Sequence, residues 1–145
     1  MSWVRGRSLE LVLLLLWSGV IWWGLTTSRV SDTAWFPGSS LVFNLGHAVI
    51  FGVEALLIGR ALHPDVRPGH GRWWLASTLA WLYSAALEGR QGFLDGRESS
   101  LADLLTNAIG AFGVPWMLAD RTARTRRAIW VGSGALVSAL IDTLT

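Results

Sequence analysis

Residues 9–26 read LELVLLLLWSGVIWWGLT, and this apolar run decides the class of fold. A single acid, Glu10, interrupts it. About 20 predominantly apolar residues are enough for an α-helix to cross the hydrocarbon core of a bilayer. The rest of the chain agrees, because 52% of its 145 residues are hydrophobic and they fall in long runs rather than in alternating patterns. We therefore predict an all-α, polytopic helical membrane protein.

Four more segments of this kind follow, which predicts about five transmembrane helices in one domain, residues 1–145. The span at residues 9–26 is expected to be a retained anchor rather than a cleaved signal peptide, because it carries three tryptophans and no cleavage site of small residues follows it. The third is predicted to stay helical to about Gln91, and Pro115 is predicted to kink the fourth. The predicted spans are residues 9–26, 41–62, 73–91, 101–119 and 128–144.

The positions of the twelve basic residues, all arginine, predict the orientation of these spans. With the N-terminus in the cytoplasm, nine arginines fall in cytoplasmic segments and three, Arg29, Arg90 and Arg97, fall outside. The positive-inside rule favours this arrangement. It predicts a multi-pass protein of the inner (cytoplasmic) membrane of the cell. The absence of cysteine excludes disulfides and thiolate chemistry, and the scattered arginines do not favour a nucleic-acid partner.

Residues 88–110 depart from the apolar pattern, since they include four acids, two arginines and two amides between two spans. An ionisable side chain near the middle of a transmembrane helix costs roughly 2.5–3.5 kcal/mol, so such residues turn inward and mark functional sites. Helical spacing places polar residues on one face of the second, third and fourth spans, near their predicted outer ends. We predict an outward-opening polar pocket lined by Asn44, His47, Glu88, Gln91, Arg97, Ser100, Asp103 and Asn107.

Two motifs among these residues resemble the VanZ-like membrane proteins. The first is Asn44-Leu-Gly-His47-Ala-Val-Ile-Phe-Gly, and the second is Glu88-x-x-Gln91-x-Phe-x-x-Gly-Arg97-x-x-Ser100-x-x-Asp103-x-x-x-Asn107-x-x-Gly110. The resemblance covers about residues 41–113. It departs from the family at Phe43-Asn44, where the family has an aspartate-lysine pair. It implies a protein of the cell envelope with a link to resistance to the glycopeptide teicoplanin, and it implies no settled mechanism.

The predicted pocket leaves three functions open. In the first, Arg97 holds an anionic group of a lipid or cell-wall precursor by charge-assisted hydrogen bonds, without turnover. In the second, the protein is an outer-leaflet enzyme in which Glu88 or Asp103 is the general base, His47 is an acid or base, and Arg97 stabilises developing charge. In the third, the polar residues only stabilise the packing of the helices, and the protein acts through partners.

The sequence does not identify a cofactor or an oligomeric state. A metal-dependent form of the enzyme would use His47, Glu88 and Asp103 as ligands. The chain has no recognisable metal-binding motif, so we assign no metal site. The lipid bilayer is the one partner that the composition requires.

Several of these residues also have structural interpretations. Ser100-Leu-Ala-Asp103 fits a helix capping box, and His47 and Asn107 fit hydrogen bonding between helices. Glu54 lies about four turns into the second span, so it needs a proton or a partner, which the sequence does not name. Small residues permit close approach of membrane helices. This role is predicted for Gly110, Gly113, Gly132 and Gly134.

Overall fold

The computed structural model describes residues 2–27, 39–93, 101–119, 128, 130–134 and 136–137. Every element in this part of the chain is an α-helix: α1 is Ser2–Thr27, α2 is Ser39–Leu62, α3 is Trp73–Gln91 and α4 is Leu101–Leu118. The residues described from the predicted fifth span are helical as well. The prediction of an all-α protein is therefore confirmed for these residues.

Three of the helices contain a segment long and apolar enough to cross a membrane: Ser8–Thr26, Leu45–Leu62 and Leu101–Leu118. At 19 residues α3 is long enough too, but it is less apolar because it carries a polar face. That face includes Ser77, Ser84, Glu88 and Gln91, all of them buried. Membrane helices turn their polar faces toward the protein, so this is the face of α3 that is expected to contact the neighbouring helices.

α2 and α4 form the most extensive contact between the described helices. Gly110 of α4 lies against the backbone of Ala48, and Gly52 of α2 lies against Val114. The residue numbers rise together along this contact, so the two helices run in the same direction. A Cβ atom on either glycine would overlap its neighbour. The missing side chains therefore permit the close approach, as predicted for Gly110.

Close approach was also predicted for Gly113, Gly132 and Gly134, and the structure shows it at two of these three glycines. A Cβ on Gly113 would lie 2.7 Å from a methyl group of Val131, and one on Gly134 would lie 3.3 Å from Ile109. Both glycines therefore allow α4 and the following helical segment to pack closely. Among the described residues nothing lies within 4 Å of the Cβ position of Gly132, so the predicted close approach is not seen there.

α3 packs beside α2 in the opposite direction. Its first residue, Trp73, lies against Gly59 near the end of α2. Leu87, near the end of α3, packs against Phe51 in the middle of α2. The loop of residues 63–72 joins the two helices. The Trp73 indole fastens this loop, because its Nε1 donates a hydrogen bond to Val66 O at 3.1 Å.

α1 lies at the edge of the bundle, against α2 and α3. Only 6% of its apolar segment is buried, and side chains such as Leu16 (63% exposed) face outward. Lipid tails are as apolar as leucine, so this surface does not drive α1 onto the bundle in a membrane. Its attachment depends on individual hydrogen bonds. Trp17 Nε1 donates to Ile50 O at 3.3 Å, and Gln91 Nε2 donates to Leu25 O at 3.1 Å.

These contacts bring the ends of α1 and α3 to the same end of the bundle as the beginnings of α2 and α4. We call this the polar end. The helices extend beyond some predicted spans, since α1 begins at Ser2 rather than at residue 9. The apolar run marks only the part that suits hydrocarbon, and the helix continues through Arg5. Pro115 does not end α4, which continues to Leu118.

Candidate functional site

His47 of α2 and Asp103 of α4 lie side by side at the polar end. Their Nδ1 and Oδ1 atoms are 3.7 Å apart, and their side chains are 17% and 25% exposed. This distance is too long for a strong hydrogen bond but short enough for an ion pair when the imidazole is protonated. The pair is half-open. It can therefore offer both a proton donor and a carboxylate oxygen to a molecule that reaches this end of the bundle.

Asn107 lies one turn below Asp103 and is almost completely enclosed, with 1% of the residue exposed. Its amide oxygen is buried and has no hydrogen-bond donor within reach in the part of the chain that the structure describes. Buried polar atoms in native proteins nearly always have a partner, because an unmade bond costs roughly 1–3 kcal/mol. A water or a bound group that supplied the missing donor would complete this bond, which makes Asn107 a candidate for the site.

Glu88 and Gln91 extend the polar face of α3 to the same end. Both residues are buried, at 7% and 3% exposed. Gln91 does not point into open space, because its amide nitrogen donates to Leu25 O of α1 at 3.1 Å. Its first role is thus to join α3 to α1. The sequence had placed Gln91 in the pocket without indicating this bond.

An apolar layer lies beneath these polar residues. Ile21 of α1, Phe51 of α2 and Leu87 of α3 are each at most 4% exposed and pack together. On α2 the layer falls between His47 and Glu54, which share one helical face. Glu54 is therefore separated from the polar end by a full layer of apolar side chains, and it does not belong to the candidate site.

Arg90 makes a contact that sequence reasoning missed. Its guanidinium carbon lies 4.9 Å from the centroid of the Trp22 ring, a distance typical of a cation–π interaction. This contact joins α3 to α1 at the polar end, beside the bond from Gln91. The signal was present in the sequence as a tryptophan pair and an arginine at neighbouring span ends, but helical spacing does not tell which of them meet.

Three predicted site residues cannot be placed in the same way. Arg97 and Ser100 lie outside the described residues, and so does the side chain of Asn44, whose backbone belongs to α2. Thus the structure brings His47, Asp103 and Asn107 together at the polar end and puts Glu88 and Gln91 on the adjoining buried face of α3.

The described acids and histidines do not assemble into a set of three that could hold a metal ion. The suggested ligand set of His47, Glu88 and Asp103 therefore gains no support. What the site does hold is a carboxylate, an imidazole and a buried amide oxygen on two closely packed helices. Such groups bind hydroxyl, ammonium or similar donors directly, and the imidazole can exchange a proton.

Comparisons with protein-family models, with curated proteins and with solved structures gave no match for this chain.

Proposed function

We propose that this chain is a VanZ-like integral membrane protein with five transmembrane helices and a cytoplasmic N-terminus. Its polar end faces the outer side of the inner (cytoplasmic) membrane and binds the anionic headgroup of a lipid or of a cell-wall precursor. The observation that carries the proposal is Asn107, a buried amide whose oxygen has no donor among the described residues, beside the half-open pair of His47 and Asp103. A headgroup with hydroxyl or ammonium groups would supply that donor.

Arg97 is the proposed anion-binding group. It is four residues before the start of α4 in sequence, and α4 carries Asp103 and Asn107. A guanidinium binds a phosphate or carboxylate through two parallel hydrogen bonds, which a lysine ammonium cannot reproduce. The headgroup would then meet a cation at one side and hydrogen-bonding groups at the other.

A binding titration tests this assignment. Purified protein in detergent is titrated with short-chain phosphatidylglycerol and, separately, with farnesyl diphosphate, which carries the diphosphate of an isoprenyl-linked precursor. Short-chain phosphatidylcholine is the reference without net charge. We expect Arg97→Lys to weaken the anionic ligand by about tenfold, the equivalent of ~1.4 kcal/mol for one lost bidentate contact. The ligand whose affinity falls identifies the source of the anionic group.

Arg90→Lys is the matched control, because Arg90 is exposed, lies at the same end of the bundle and has a side chain whose one recorded contact is with an aromatic ring. Its affinity for the anionic ligands should equal that of the parent. If Arg97→Lys binds both ligands as tightly as the parent does, the proposed role of Arg97 is refuted.

The orientation is tested with single cysteines, which the cysteine-free chain permits. Gly96→Cys should react with a membrane-impermeant maleimide added to intact cells. Gly71→Cys is the control on the opposite side, since Gly71 is exposed in the loop 63–72 and nothing lies within 4 Å of its Cβ position. It should react only after permeabilisation. The reverse pattern would invert the proposed topology.

The contact between His47 and Asp103 supports a second candidate, an outer-leaflet enzyme that uses this pair for proton transfer. Lipid extracts of cells with the parent and with Asp103→Asn distinguish the two. A binding protein leaves the lipid products unchanged in both, whereas an enzyme gives a product that disappears in the variant. The resemblance extends the proposal to protection against teicoplanin, which a survival assay of the same strains measures.

A further inference from the structure

Glu54 is the most deeply buried acid in the described part of the chain, at 2% exposed. It lies seven residues after His47, which is about 10 Å along the helix axis. The apolar layer of Ile21, Phe51 and Leu87 separates the two. Neither the candidate site nor the proposed function uses Glu54, so its burial needs its own explanation.

Ser18 of α1 is the partner of Glu54. Ser18 Oγ lies 2.8 Å from Glu54 Oε1 and also 2.8 Å from the backbone oxygen of Leu14, one turn earlier in α1. Both distances are those of O–H···O hydrogen bonds. Tyr83 completes the group, because its hydroxyl donates to Ser18 O at 2.8 Å. Three helices therefore meet at this point.

The hydrogen atoms around Ser18 decide the state of the acid. A serine hydroxyl has one hydrogen, and the oxygen of Leu14 has none, so that contact is a bond only if Ser18 donates to it. If that single hydrogen lies on the Leu14 contact, Ser18 Oγ accepts from Glu54, and a carboxyl group can donate only when it is protonated. With an ionised carboxylate, Ser18 would have to share one hydrogen between two 2.8 Å contacts, and each contact would be weaker than a full hydrogen bond.

The surroundings agree with the count of hydrogens. The second oxygen of Glu54, Oε2, is buried and has no hydrogen-bond partner among the described residues. No arginine or histidine of that part of the chain forms an ion pair with Glu54. A buried charge in such a place would be very costly, and a carboxyl group takes up a proton instead. A neutral carbonyl oxygen without a partner costs far less.

We infer that Glu54 is a proton-binding site, which holds a proton on the oxygen facing Ser18, and that this O–H group fastens α1 to α2. The inference is independent of the proposed function of the polar end. It assigns Glu54 a bound proton and a structural role, which is the hydrogen bond between α2 and α1. α1 is the least buried of the membrane-length helices, so this hydrogen bond, with those of Trp17, Tyr83 and Gln91, contributes directly to its attachment.

Infrared spectroscopy of the purified protein at neutral pH tests the inference. Protonated carboxyl groups have a C=O stretching band that carboxylates lack, and deuterium exchange shifts it. The difference between the parent and Glu54→Gln should contain one such band. The control is Asp65→Asn, which removes an exposed acid of the loop 63–72 and should leave the band unchanged. Ser18→Ala should move the band to higher frequency, because the O–H group loses its acceptor.

Glu54→Gln should fold with the same thermal midpoint as the parent, because an amide N–H can donate to Ser18 Oγ as the acid does. A parent spectrum in which Glu54→Gln removes no carboxylic acid band would overturn the inference. So would a Glu54→Gln protein that fails to fold, since the amide and the protonated acid have the same shape and the same donor.

Discussion

Gly110→Ala is the substitution for which the structure gives the sharpest expectation. A methyl group at Gly110 would lie 2.7 Å from both the carbonyl carbon and the Cα of Ala48. Carbon atoms in ordinary contact are about 3.5–4.0 Å apart. Because the obstacle is backbone, it cannot rotate away, and α2 and α4 must separate by roughly 1 Å. Overpacking of this kind costs about 1–3 kcal/mol.

The same substitution at Gly46 is the matched control. Gly46 belongs to α2, two residues before Ala48, and no described residue lies within 4 Å of its Cβ position. Alanine is the better helix former by up to about 1 kcal/mol, so Gly46→Ala should leave stability unchanged or raise it. Both variants are compared with the parent by thermal unfolding in detergent. If Gly110→Ala unfolds at the same temperature as Gly46→Ala, the close contact of α2 with α4 is wrong.

Separation of these helices also has a functional consequence. His47 and Asp103 lie on the same two helices as this contact, and their Nδ1 and Oδ1 atoms are already 3.7 Å apart. A further separation of about 1 Å would take them out of range of a direct ion pair. Gly110→Ala protein that still folds should therefore bind the anionic ligands more weakly, whereas Gly46→Ala should bind them as the parent does.

Three other substitutions test the attachment of α1 and the apolar layer. Tyr83→Phe removes the bond to Ser18 O and should lower the free energy of unfolding by about 0.6 kcal/mol, the mean for such bonds between membrane helices; an unchanged value would mean that the bond is not made. Gln91→Leu removes the bond to Leu25 O, and amide hydrogen exchange should become faster in α1 but not in α4; equal effects in both helices would contradict this. Phe51→Ala removes a fully buried ring and should cost about 3–5 kcal/mol in thermal unfolding; a cost below 1 kcal/mol would mean that the layer is not tightly packed.

The sequence predicted the helices well because long apolar runs are a strong signal. The third span was predicted at residues 73–91, and α3 is Trp73–Gln91. The starts of α1 and α2 were less well predicted, because a helix that leaves the hydrocarbon continues through polar residues without a change in periodicity. The number of membrane spans and their orientation stay predictions.

The partners of individual side chains were harder to predict. Helical spacing correctly placed Asp103 and Asn107 on the same side of α4, but it could not distinguish the neighbours that each polar face would meet. Gln91 was expected in the pocket, and its bond to Leu25 O of α1 could not be read from the spacing. Glu54 was left without a partner, because Ser18 looks like any small residue in an apolar helix. In a membrane the lipid-facing and protein-facing surfaces are both apolar, so composition does not distinguish them.

The central claim is that the polar end is a binding site rather than a set of residues that only stabilises helix packing. Asn107→Leu tests this claim most directly. Leucine has the same branched shape and removes an amide oxygen that has no partner among the described residues, so a binding site should lose affinity without losing stability. We predict that the variant keeps or raises the thermal midpoint of the parent and binds short-chain phosphatidylglycerol, whose glycerol hydroxyls can donate to the amide oxygen, about tenfold more weakly, as expected for ~1.4 kcal/mol. A variant that unfolds at lower temperature while its remaining folded fraction binds normally would contradict the account.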